Sequence, residues 1–153
     1  MALLISLAIL YVAGFLTVAT ESFTHFAIVG SVRESFREFF LQSALFAASA
    51  IFWAVTVWIG MTWVGERIGF LQLIEILGAA HVPLFGYPLT ITPTLGYRLE
   101  QILRLSVYAL FASALFLLTN VSALAAAVVC LPGWLFHFLT QEVRIARRVK
   151  ASR

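Results

Sequence analysis

From residue 99 to residue 139 the chain is apolar almost without interruption, about twice the ~20 residues that one helix needs to cross the hydrocarbon core of a bilayer. Thr119, Asn120 and Ser122 are its polar break. A water-soluble fold has no place for such a run, because only one stripe of a surface helix is buried. Lipid takes all of it. A cut at Thr119-Asn120 gives two spans, 99–118 and 121–139, joined by a tight turn.

The rest of the chain repeats the pattern. Residues 2–19 form a first span that can extend toward Ile28, and residues 39–64 a second, carrying Trp53, Trp58 and Trp63. Residues 69–92 form a third apolar stretch. Gly78, Pro83, Gly86 and Pro88 fall inside it, so it cannot be one regular helix throughout. The expectation is an all-α polytopic transmembrane bundle of five spans in one domain, followed by a basic tail over 140–153. Four spans plus a re-entrant segment is the alternative. Composition agrees: hydrophobic residues are 62% of the chain and charged ones 11%, against about half and about a quarter in soluble domains. There is one Lys, one Asn and no Asp. The opening run lacks the basic start of a secretory signal and reads as a retained span. Cys130 reads as a small apolar filler.

Basic residues set the orientation. With the N-terminus outside, Arg33, Arg37, Arg98, Arg104 and all five basic residues of the tail fall inside, which is nine of the 10 and leaves only Arg67 outside. The C-terminus is therefore expected in the cytoplasm. Tail residues Arg144, Arg147, Arg148 and Lys150 are positioned to contact anionic headgroups. All these charges lie beside the membrane, which argues against nucleic acid as a partner. Between the first two spans, Ser31 and Glu34 have capping-box spacing and predict a helix start.

Ionisable groups at membrane depth are expensive and are candidates for function. Glu21 and His25 are four apart, one helical turn, at the end of the first span. The spacing permits a proton relay or, with further partners, a metal site, but the simpler reading is that both reach water. Glu75 and His81 fall in the broken stretch and, six apart, do not share a face. Glu75 shares one with Gln72 and Ala79 and is expected to bond across helices. His81 stands two residues before Pro83, where a backbone carbonyl loses its usual partner; it is expected to satisfy such a carbonyl, with a substrate or proton path as the sharper alternative. Glu100 and Arg104 read as a solvated ion pair at the foot of the fourth span. His137 is expected to reach the interface. No metal-ligand cluster, phosphate loop or nucleophile–base pattern appears, so no catalytic, cofactor or metal residue is assigned.

The stretch Trp63-Val64-Gly65-Glu66-Arg67-Ile68-Gly69-Phe70 through Gly78-Ala79-Ala80-His81-Val82-Pro83 resembles the middle of the Yip family membrane domain, that of the Rab-interacting Yip proteins and their bacterial relatives. Phe70, Gly78, Ala80 and Pro83 carry the match, and Ile91-Thr92-Pro93-Thr94-Leu95-Gly96 looks like the loop before that family's fourth span. The resemblance covers about residues 40–120 and implies five spans. The family's glycine pair is reduced to Gly65 and Gly69, and its usual orientation, N-terminus in the cytoplasm, opposes the charge pattern. Short loops, the lack of a catalytic motif and the resemblance together lead to the expectation of a non-enzymatic scaffold or assembly and trafficking factor that associates with itself or with other membrane proteins. A small transporter or channel subunit using the broken third stretch is the alternative.

Overall fold

A computed structural model describes residues 1–23, 32–92 and 95–151, with side chains placed for 1–21, 39–92 and 95–140. Among these the chain is helical with no strand: α1 (Ala2–Phe23), α2 (Val32–Trp63), α3 (Phe70–Ala80), a 3₁₀ segment (Val82–Ile91), α4 (Gly96–Leu118) and α5 (Ala123–Ala151). Five stretches are long and apolar enough to cross a membrane: Ala2–Glu21, Phe39–Trp63, Phe70–Ile91, Gly96–Leu118 and Ala123–Thr140. This is an integral, multi-pass helical bundle. The third span runs between α1, α2 and α4, and α5 closes the far side against α2 and α4.

Each helix buries a narrow stripe. It is Ser6, Leu10, Ala13 and Thr17 on α1, Phe46, Ala50, Trp53 and Val57 on α2, and Ala126, Cys130, Gly133 and His137 on α5. The spacing alternates three and four, as in coiled coils. Outward positions are as apolar as inward ones: Leu4, Leu41, Leu105, Leu117 and Leu124 are all exposed. In water such a surface is a liability; facing lipid it is required, because the backbone bonds are already made within each helix.

Turn chemistry fixes the ends. Helix α2 closes on Gly65, whose φ of +86° suits glycine. Its N–H bonds Thr62 O at 3.2 Å and that of Glu66 bonds Met61 O at 3.0 Å, the paired bonds of a Schellman cap. Between α4 and α5, Ser122 Oγ accepts the Ala125 N–H at 3.2 Å and so caps α5. The polar break in the long apolar run is thus the turn that the sequence predicts.

The third span is broken as its prolines require. Helix α3 ends at Ala80, and the chain continues as a 3₁₀ segment containing Pro83 and Pro88. Here the buried residues fall every third position: His81, Leu84 and Tyr87. A 3₁₀ turn holds about three residues, so these side chains stack in one line facing the bundle.

Helix α5 departs from expectation. It does not stop at the membrane edge but continues as helix through Ala151, so the basic positions 144, 147, 148 and 150 belong to a helical extension. Pro132 sits inside it. Proline frees the carbonyl four residues earlier, and donors from neighbouring helices reach the loosened turn. Tyr108 Oη donates to Ala127 O at 2.8 Å and Trp53 Nε1 to Cys130 O at 2.9 Å.

Close approaches rest on glycine. A Cβ on Gly78 would lie 2.6 Å from Ser6 Cβ and 2.8 Å from Ser6 Cα, so α1 and α3 touch backbone to side chain there. Gly133 makes room for the Trp53 ring in the same way. Small residues at crossings are the usual device where lipid supplies no hydrophobic drive between helices.

Candidate functional site

Two polar nodes lie inside the bundle, and the line of buried residues on the third span connects them. The first is at its break. His81 is fully buried, and its Nδ1 lies 2.7 Å from Leu77 O. A carbonyl only accepts, so Nδ1 carries the hydrogen. The carbonyl served is not the one Pro83 frees but that of Leu77, which also accepts the His81 N–H at 3.2 Å. His81 Nε2 is left as a buried acceptor with no hydrogen-bond partner among the described residues. Its ring neighbours are Phe46 at 5.8 Å, Trp53 at 6.1 Å and His137 at 5.5 Å between centroids.

His137 does not reach the interface. It is fully buried and turned to α2, with Nδ1 2.8 Å from Ser49 Oγ. Ser49 spends its own hydrogen on Phe46 O at 2.8 Å, so His137 Nδ1–H is the donor between the two. The ring also packs 4.7 Å from Phe46 and stacks over Trp53 at 6.0 Å. The physical reason is local: Gly133 lets α2 approach α5, and a residue one turn further on the same stripe must point inward.

The second node joins α1, the 3₁₀ segment and α4. The buried Tyr87 hydroxyl donates to Glu100 Oε1 at 2.9 Å and lies 3.2 Å from Glu21 Oε1. Glu100 pairs with Arg104 one turn along α4. This pair is not the solvated one that the sequence suggests. The Arg104 side chain is 5% exposed and that of Glu100 22%. The Arg104 guanidinium lies over the Phe138 ring, 5.2 Å from its centroid. Arg104 O also accepts from Trp134 Nε1 at 3.2 Å. Arg104 is more than two turns deeper in the bundle than the start of α4 at Gly96, and Glu100 and Phe138 compensate its burial.

The four sequence candidates thus separate. Glu21 enters the second node through Tyr87, and His81 forms the first. Glu75 is half-buried; its backbone carbonyl, not its carboxylate, accepts from Ser6 Oγ across helices at 3.4 Å. His25 lies outside the described residues, so the Glu21–His25 pairing falls there too. Tyr87, Glu100, Arg104, His137 and Ser49 were not singled out together from sequence. Topology held one usable signal: with five spans, the end of the first, the end of the third and the start of the fourth lie at one membrane face. No group of three or more His, Cys, Asp or Glu able to hold a metal occurs among the described residues.

Compared with family models, curated proteins and solved structures, the chain matches none.

Proposed function

We propose that the protein is a non-enzymatic, Yip-like multi-pass membrane protein that serves as a scaffold or assembly and trafficking factor, its C-terminus in the cytoplasm. One observation carries the reading: several polar side chains inside the bundle tie one helix to another. Trp53, Tyr108, Trp134 and Ser49 all bond across helices, and the imidazoles of His81 and His137 are wedged against Phe46 and Trp53. What the molecule offers outward is an apolar belt and a basic helical extension. The belt suits a second copy or another membrane protein. The extension, with Arg144, Arg147, Arg148 and Lys150, suits anionic headgroups at about 1 kcal/mol per basic residue. Crosslinking in cells followed by purification in mild detergent tests the reading. Recovery of a stable complex is the expected result; a monomer with no crosslinked partner sinks it.

A second reading, a small transporter or channel subunit, draws on the unpartnered Nε2 of His81 at the break of a discontinuous span. Flux into liposomes that is unchanged by Glu75→Gln and His81→Ala removes it.

A further inference from the structure

Helix α3 is covered on one side only. Leu73, Ile74, Leu77 and Ala80 are buried, whereas Leu71, Gln72 and Ala79 are exposed. At about 100° per residue the exposed three span an arc about 100° wide, and Glu75 falls near its centre. Glu75 therefore faces out of the bundle. It does so at depth. Phe70, the first residue of α3, packs on Trp58 with ring centroids 6.3 Å apart. Trp58 is five residues short of the end of α2 at Trp63, so α3 starts below that end. Glu75 lies five residues further in, roughly 10–15 Å from the level of Trp63.

A carboxylate at such a depth is expensive unless it is paired. Among the described residues neither the Glu75 carboxylate nor the Gln72 amide makes a hydrogen bond or ion pair. The chain has no cation to offer at this level. The halves of the five spans on this side, residues 2–12, 52–63, 70–80, 107–118 and 123–132, hold no Lys, Arg or His. Arg67 is exposed on the loop before α3. A second copy carries the same sequence, so it would set carboxylate against carboxylate and bring no cation to either.

We propose that the face of α3 formed by Gln72, Glu75 and Ala79 docks a transmembrane helix of a different membrane protein, one that carries a Lys or Arg in the half of its span on this side. The cation pairs with the Glu75 carboxylate. The Gln72 amide, one turn away, hydrogen-bonds the same helix, and the small Ala79 lets its backbone come close. The inference rests on the scaffold reading and narrows it to a partner of opposite charge.

The test uses the full chain, fused at its C-terminus to a fluorescent donor, in phosphatidylcholine vesicles with acceptor-labelled synthetic peptides. Each peptide is a Leu/Ala helix of about 24 residues, long enough to span. About seven residues from one end, roughly 10 Å, it carries Lys in one version and Leu in the control. The Lys peptide is expected to bind wild type about tenfold more tightly than the control, the order of one interhelical polar contact in a membrane. Glu75→Gln is expected to lose that preference, and Glu66→Gln, in the loop before α3, to keep it. Ala79→Phe leaves the carboxylate in place but holds a neighbour off, and is expected to weaken the preference. Lys and Leu peptides that bind alike would overturn the proposal, as would a preference that survives in Glu75→Gln. Energy transfer between copies of the chain that Glu75→Gln abolishes would overturn it in favour of a second copy. Loss of the preference on adding phosphatidylethanolamine would do so in favour of an amine headgroup. Should Glu75→Gln not fold, Ala79→Phe decides, and an undiminished preference there overturns the face. In cells, a complex recovered equally with wild type and with Glu75→Gln would remove this face and leave the scaffold reading standing.

Discussion

Replacing Gly14 by Ala sets a methyl carbon against the Phe46 ring. A Cβ at Gly14 has Phe46 Cδ1 and Cγ at 2.9 Å and Phe46 Cβ at 3.0 Å as its nearest neighbours. That is roughly 0.6 Å inside the ~3.5–4.0 Å of ordinary carbon contact. The ring has little room to retreat, since its other sides meet His137 at 4.7 Å and His81 at 5.8 Å. Overpacking of this kind costs about 1–3 kcal/mol, and the helix preference of Ala over Gly returns up to ~1 kcal/mol. Gly14→Ala alone is therefore expected to lose only about 0–2 kcal/mol, too wide a range to be decisive. The cycle with Phe46→Ala is decisive. With the ring gone, the new methyl enters vacated space and the helix preference is all that remains. That preference is common to both backgrounds and cancels, leaving a coupling of about 1–3 kcal/mol. The measurement is unfolding by dodecyl sulfate in dodecyl maltoside micelles, followed by circular dichroism, on wild type, both single variants and the double variant. A coupling below ~0.5 kcal/mol, the level of ordinary additivity, would refute the approach of α1 to α2 at this point.

The same titration checks two further expectations. Tyr87→Phe deletes a hydroxyl that touches two helices and should cost about 1–3 kcal/mol, since interhelical bonds in membranes average ~0.6 and reach ~1.7 kcal/mol each. Ser49→Ala removes an interhelical contact to His137, whereas Ser43→Ala removes only a bond to Phe39 O in its own helix. Ser49→Ala should therefore cost more than Ser43→Ala, and equal costs would contradict the placement of His137. A C-terminal fluorescent reporter is expected to be bright, as in the cytoplasm; a dark one would reverse the orientation read from the basic residues.

The breaks in this bundle were legible in the sequence, because they rest on chemistry local to a few residues. Thr119-Asn120 had to be a turn, and Pro83 and Pro88 had to interrupt a helix. The inward faces were not legible. In a soluble helix the polar face marks the outside, but here Leu105 and Leu117 on the outside are as apolar as Val107 and Leu115 on the inside. Periodicity of hydrophobicity therefore says nothing about which way His137 or Arg104 turns. Size carried the missing signal. Gly14, Gly78 and Gly133 lie on the crossings, and reading inward from Gly133 by one turn would have placed His137 in the core. The pairing of Tyr87 with Glu21 and Glu100 joins positions 66 and 13 residues apart. It required the three-residue pitch of the segment as well as the topology.

That pitch has a consequence for how the interior is wired. Each 3₁₀ residue advances about 120° around the axis and each α residue about 100°. Over the six residues from His81 to Tyr87 the first winding returns to its starting direction, and the second misses it by about 120°. The imidazole and the phenol aim into the same bundle only while the segment between them stays tightly wound. Rewinding it as α-helix would swing one of them toward lipid without altering a single residue.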